Sequence, residues 1–194
     1  MVNIEKVILR RKGFILEGIT LGWNAIGVIV LLFAAISAHS VVLGGFGLDS
    51  LIEIGASIIV IWELSDTNEY KQKNAQKIIG ITFLFLSVYL AIQSSLVLFY
   101  RIHPKHSLIG IVWTGITALL MFYLAHGKSR TGHKLKNEVL ITEGKVTLVD
   151  AILASAVLMG LLLNFLIGWW WADPLAGYVI LIYGLKEGLV AIRV

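Results

Sequence analysis

The chain has 194 residues, 58% of them hydrophobic and only 14% charged, with a formal charge of +4 and a mean hydropathy of +0.87. Soluble domains carry about 25% charged residues, so water is not the main solvent of this chain. It has no cysteine, which excludes disulfides, thiolate metal sites and cysteine nucleophiles and leaves oxygen and histidine nitrogen as metal ligands.

A bilayer core takes about 20 apolar residues per helix. On that measure six transmembrane helices are predicted, over 14–36, 41–63, 78–100, 107–125, 146–167 and 174–192. The expected fold is all-α and polytopic, a single transmembrane domain over residues 1–194 with no room for a separate soluble domain. The first stretch lacks a small-residue cleavage pattern and contains Glu17 and Asn24, so it is expected to be retained as a helix. These two stand seven apart, on one helix face. They are candidates to line the cytoplasmic approach to a site, with an interhelical hydrogen bond as the other role for Asn24.

The second stretch carries Asp49 and Glu53. Gln93, Ser94 and Ser95 in the third are expected to bond between helices. His103 and His106 flank Pro104-Lys105 in the following connection, which is expected to be a solvated loop and not a metal trap. The longest connection, near 126–142, contains His126-Gly127-Lys128-Ser129-Arg130-Thr131-Gly132-His133 and is predicted to be a cytoplasmic loop. Asp150 lies inside the fifth stretch. Trp169, Trp170 and Trp171, with Tyr100 and Tyr123, fit interfacial aromatic anchors. Leu51-Ile52-Glu53 and Leu148-Val149-Asp150 are alike, each followed by a small pair, Ala56-Ser57 and Ala154-Ser155, a hint of an internal repeat.

An even number of spans puts both termini on one side. All basic residues except Arg101 and Lys105 fall on that side, and the positive-inside rule makes it the cytoplasm. The pI near 9.3 then reflects topology, and a nucleic-acid partner is not expected because no soluble face exists to present the charge. No phosphate loop or nucleophile–base pair appears, so an enzyme is not expected either.

Asp49 and Glu53 are four residues apart, about 6 Å along a helix axis and on nearly the same face. An acid at a helix centre costs about 2.5–3.5 kcal/mol on insertion scales, so with Asp150 the trio costs roughly 8–10 kcal/mol. Apart from Lys186 near the cytoplasmic end of the sixth, the predicted spans offer no basic residue to pair with them. Protons or a divalent cation can neutralise them, and competition between the two describes a metal–proton exchanger. Gly44, Gly45, Gly47, Gly55 and Ala56 on the second helix, with Ala151, Ala154 and Ser155 on the fifth, are expected to let those two backbones approach closely.

Asp49-Ser-Leu-Ile-Glu53-Ile-Gly-Ala-Ser57 resembles the second-helix metal motif of the cation diffusion facilitator (cation efflux) family, in which two ligands stand four apart. Asp150 matches the second of two fifth-helix ligand positions, and Trp171-Ala-Asp173-Pro174-Leu-Ala-Gly177 is similar to the family's entry into its sixth helix. The first fifth-helix ligand position holds Val146, so a four-ligand site is incomplete. Thr147, one turn from Asp150, or Glu143, two turns away, would be auxiliary oxygens, with a solvated helix-start charge the expected role of Glu143. Members continue into a cytosolic dimerising domain, and a chain ending at Val194 is expected to lack it.

The resemblance implies a homodimeric, multi-pass protein of the plasma (inner) membrane that exports zinc, manganese or iron ions from the cytoplasm against protons. Asp49, Glu53 and Asp150 would be the metal ligands. A non-transporting, metal-binding interaction protein of the same fold is the alternative.

Overall fold

The computed structural model describes residues 4–38, 40–65, 69–101 and 105–193, and these form six α-helices. They are α1 (Ile4–Ala38), α2 (Val41–Ser65), α3 (Glu69–Tyr100), α4 (Leu108–Leu135), α5 (Glu138–Ile167) and α6 (Ala172–Ile192). Among the described residues, five helical stretches are long and apolar enough to cross a membrane: Ile4–Ala38, Leu43–Ser65, Gly80–Tyr100, Leu108–Leu135 and Glu138–Ile167. Large apolar side chains such as Ile29, Phe33, Phe85, Leu119 and Leu166 cover the outside, while Glu17, Asp49, Glu53, Thr114, Lys128, Glu143 and Asp150 are buried. That inversion suits hydrocarbon as the surrounding solvent, because polar groups in lipid are placed against one another and not outward.

Several helices run beyond the apolar stretches that predicted them. The largest difference falls on 126–142, expected as a loop. There α4 continues to Leu135, Lys136 takes a left-handed conformation (φ 55°) as its C-cap, and Asn137 caps the start of α5. The reason is a helical stripe that hydropathy does not weigh: Met121, Leu124, Ala125, Lys128, Thr131 and Gly132 are all buried on one face of α4. Small residues on that face bring the backbones together. A Cβ on Gly144 would lie 2.9 Å from Ser129 N, and one on Gly132 would lie 2.9 Å from Ile141 N.

Helix α1 packs on α2 and α4, and α5 packs on the same two, so these four close a ring in the order α1, α2, α5, α4. Helices α3 and α6 pair with each other against α2 and α5. Trp23 and Trp113 stack between α1 and α4 with ring centroids 4.5 Å apart, and Trp23 Nε1 donates to Thr117 Oγ1 at 3.0 Å. Offset stacking of this kind adds about 0.5–1.5 kcal/mol to the burial of the rings.

The glycines of α2 do not serve the α2–α5 contact expected of them. Gly44 and Gly47 lie against Ala35 and Leu31 of α1, Gly45 lies against Tyr89 and Gln93 of α3, and Gly55 has nothing within 4 Å. Successive α2 glycines point in different directions because 3.6 residues make a turn, so a count of small residues does not say which neighbour they admit. Ala56, Ala151 and Ala154 are buried in the bundle, and Ser155 bonds back to Ala151 O in its own helix.

Candidate intramembrane cation site

Helices α2 and α5 run antiparallel, and polar residues meet across their seam in register. On the first rung the carboxyls of Asp49 and Asp150 come within hydrogen-bonding reach of each other. Asp49 Oδ2 and both carboxyl oxygens of Asp150 have no other hydrogen-bond partner. One turn along, Thr147 Oγ1 donates to Glu53 Oε1 at 2.8 Å. Further along the seam, Asn137 Nδ2 donates to Glu63 Oε2 at 2.9 Å and to Oε1 at 3.1 Å, while Asn137 Oδ1 accepts from Leu140 N at 2.8 Å. The steps match because both helices advance by the same rise per residue. Two carboxyls in contact repel each other unless a proton or a cation lies between them.

A basic partner stands in the core, contrary to the expectation of none. Lys128 is fully buried on the extended part of α4, with Nζ 3.0 Å from Glu17 Oε2 of α1 and 3.1 Å from Glu143 Oε1 of α5. It also donates to Thr147 Oγ1 at 2.9 Å. Glu143 is therefore no solvated helix-start charge; it is 0% exposed, held by Lys128. Hydropathy had assigned Lys128 to a loop because a lysine ends an apolar run, whatever its helix face contacts.

Glu17 joins this group, with Ser57 of α2 beside it. Asn24 is buried too, but its Nδ2 donates to Thr20 O within α1 at 3.1 Å, so that bond closes on its own helix. Val146 packs in the apolar core with Leu31, Val149 and Ala154. Thr147 thus occupies the place next to Glu53 that Val146 does not serve. His126 and His133 lie exposed on α4, His133 Nδ1 contacting Ser129 O, and His106 packs edge-on against Phe165. His103 lies outside the described residues.

Asp49, Glu53, Thr147 and Asp150 therefore border one seam, and Glu17, Lys128 and Glu143 adjoin it through Thr147. Among the described residues no group of three or more histidines, aspartates and glutamates stands close enough to hold a metal ion by itself. In this conformation Asp49 meets Asp150, while Glu53 meets Thr147. Sequence reasoning missed Lys128, Glu63 and Asn137. The buried stripe of α4 was the signal for Lys128, and Asn137 at the head of an apolar helix was a readable N-cap.

Fold and site together define a multi-pass helical membrane protein whose ionisable groups are turned onto one another inside the bundle. The family model of the cation efflux transmembrane domain matches residues 75–193, more than half of the chain, and the protein belongs to the cation efflux family. That match takes in Lys128, Glu143, Thr147 and Asp150 and begins beyond α2. The chain is also similar to Transmembrane protein 163 of Xenopus laevis, with 24% identity over 188 residues. The similarity covers 91% of this chain but 66% of that relative, so the chain spans just under two thirds of the relative's length.

Proposed function

We propose that the protein is a divalent-cation transporter that crosses the bilayer six times with both termini in the cytoplasm. Asp49, Glu53 and Asp150 are its metal ligands, and Thr147 is an auxiliary oxygen in the place left by Val146. The observation that carries this reading is the contact of Asp49 with Asp150 across the α2–α5 seam, one turn from Glu53 and Thr147. Two buried acids that face each other, as Asp49 and Asp150 do, need a positive charge, and either a proton or a metal ion supplies it. Exchange of the two is the antiport reaction: as the metal ion leaves, protons take its place. Alternating access around a site between helices then moves the ion across.

Carboxylate and hydroxyl oxygens suit manganese, iron or zinc ions as cargo. Export from the cytoplasm, a place in the plasma membrane and assembly as a homodimer complete the proposal on the strength of the family. Lipid is the surrounding partner, and the outward apolar side chains of α1, α3 and α4 fit it.

The test is metal-dependent proton flux in proteoliposomes holding the full chain. Flux with manganese, zinc or iron ions, lost in Asp49→Asn, Glu53→Gln and Asp150→Asn, is the expected result. Absence of flux with every metal refutes transport, and flux that survives all three substitutions refutes the site.

A further inference from the structure

Lys128 is the one fully buried basic residue among those described, and its ammonium is placed as a bound cation is placed. Three oxygens surround Nζ: Glu17 Oε2 at 3.0 Å, Glu143 Oε1 at 3.1 Å and Thr147 Oγ1 at 2.9 Å. An ammonium has three protons to give; Glu143 Oε1 and Thr147 Oγ1 accept two of them, and Glu17 Oε2 pairs with the ammonium by charge. The charge does not balance. Two carboxylates touch a single ammonium, Glu143 Oε2 is buried without a hydrogen-bond partner, and Glu53 stands just behind Thr147.

A purely structural ion pair would match one acid with one base, and even then buried pairs stabilise little more than well-packed apolar side chains of the same volume. The excess acid at this position suits an ion of higher charge than an ammonium. Glu17 and Glu143 together balance a divalent cation, and their oxygens are ligands for hard or borderline metal ions. Oxygen–ammonium distances of about 3 Å would have to shorten to the roughly 2.0–2.6 Å of metal–oxygen bonds, a movement of less than about 1 Å that glutamate rotamers allow. The lysine stem is four carbons long and flexible, so its head can be displaced by a change of its own rotamers.

We infer that Glu17, Glu143 and Thr147 form a second cation site beside Asp49, Glu53 and Asp150. The ammonium of Lys128 occupies it as a tethered stand-in that a divalent metal ion displaces in passing. Displacement during transit rests on the transport reading, and the site itself rests on the geometry alone. Thr147 belongs to both sites, since it accepts from Lys128 and donates to Glu53. An ion arriving at one is therefore sensed at the other through a single hydroxyl.

Equilibrium dialysis of the purified full chain against manganese ions tests the site without any transport. Lys128→Met removes the charge and keeps the volume, and it is expected to bind one more manganese ion per chain than the wild type. Adding Glu143→Gln to that variant abolishes the gain. The gain persists when Lys128→Met is combined with Asp49→Asn and Asp150→Asn, so failure of the main site and failure of this one read differently. A Lys128→Met chain that binds no more manganese than the wild type overturns the proposal, as does a gain that survives Glu143→Gln.

Should Lys128→Met be too unstable to purify without metal, its thermal unfolding is compared with and without manganese. An upward shift larger than that of the wild type is expected, and no such shift overturns the proposal. The neutral variant Lys128→Met, Glu17→Gln, Glu143→Gln keeps the main site and should show a manganese-dependent shift no larger than that of the wild type. A manganese-dependent shift in it equal to that of Lys128→Met overturns the assignment to these residues.

Discussion

Thr147 gives its hydroxyl proton to Glu53 Oε1 across 2.8 Å, and this bond ties α5 to α2 beside the Asp49–Asp150 pair. The same oxygen accepts from Lys128 at 2.9 Å. Thr147→Val keeps the shape and removes both bonds, leaving a buried carboxylate and a buried ammonium each short of a partner. Such losses cost about 1–3 kcal/mol, so the unfolding midpoint of the detergent-solubilised chain should fall. Thr147→Ser should restore most of it, and a Val variant as stable as the wild type would show that the hydroxyl carries nothing.

Asp150→Asn replaces one of two facing carboxyls with an amide that can donate to the other. A hydrogen bond to a charged group contributes about 1.5–3 kcal/mol, and a like-charge contact is removed as well. The metal-free variant should therefore unfold at a higher temperature than the wild type while its metal-dependent stabilisation disappears. Thermal unfolding with and without manganese or zinc ions checks both halves, and a variant that loses stability in metal-free buffer would contradict the repulsive contact.

Gly144→Ala places a methyl group 2.9 Å from Ser129 N and 3.2 Å from Ser129 Cα, backbone atoms that cannot move aside alone. Overpacking of this kind costs about 1–3 kcal/mol, and it also presses apart the helices that carry Glu143 and Lys128. Gly55→Ala meets nothing within 4 Å and should be neutral or stabilising by up to about 1 kcal/mol. Parallel melts of the two variants test whether close backbones, and not glycine content, hold α4 to α5.

Asn137→Ala removes the N-cap of α5 and both donations to Glu63 at once. Loss of such a cap costs about 0.5–2 kcal/mol, and a buried carboxylate left short of a donor adds about 1–3 kcal/mol. Asn137→Asp keeps the capping oxygen but sets a carboxylate against Glu63, so it should be destabilised as well. If the Asp variant instead matches the wild type, the Glu63 contact contributes nothing and the cap is the whole effect.

The all-helical, membrane-embedded class was readable without coordinates, because the shortage of charge and the runs of about 20 apolar residues are properties of the chain that a bilayer imposes directly. The family was readable too, from the short motif around Asp49 and Glu53 and the match of Asp150. An i, i+4 spacing also put Asp49 and Glu53 on one face, since helix geometry alone determines that.

What those residues touch was decided by tertiary packing. Hydropathy ends a span at the first lysine, so Lys128 and Glu143 were read as groups in water. In the folded chain α4 and α5 continue side by side past them, held by the close approaches at Gly132 and Gly144. A charge's cost depends on its neighbours, and the neighbours of Lys128 come from Glu17, more than a hundred residues earlier, and from Glu143 and Thr147 beyond the turn. The sequence by itself therefore determined the solvent, the helices and the presence of costly acids. Only the meeting of α1, α2, α4 and α5 decided that one lysine stands among those acids, because pairing in a low-dielectric core is a matter of distance between helices and not of order along the chain.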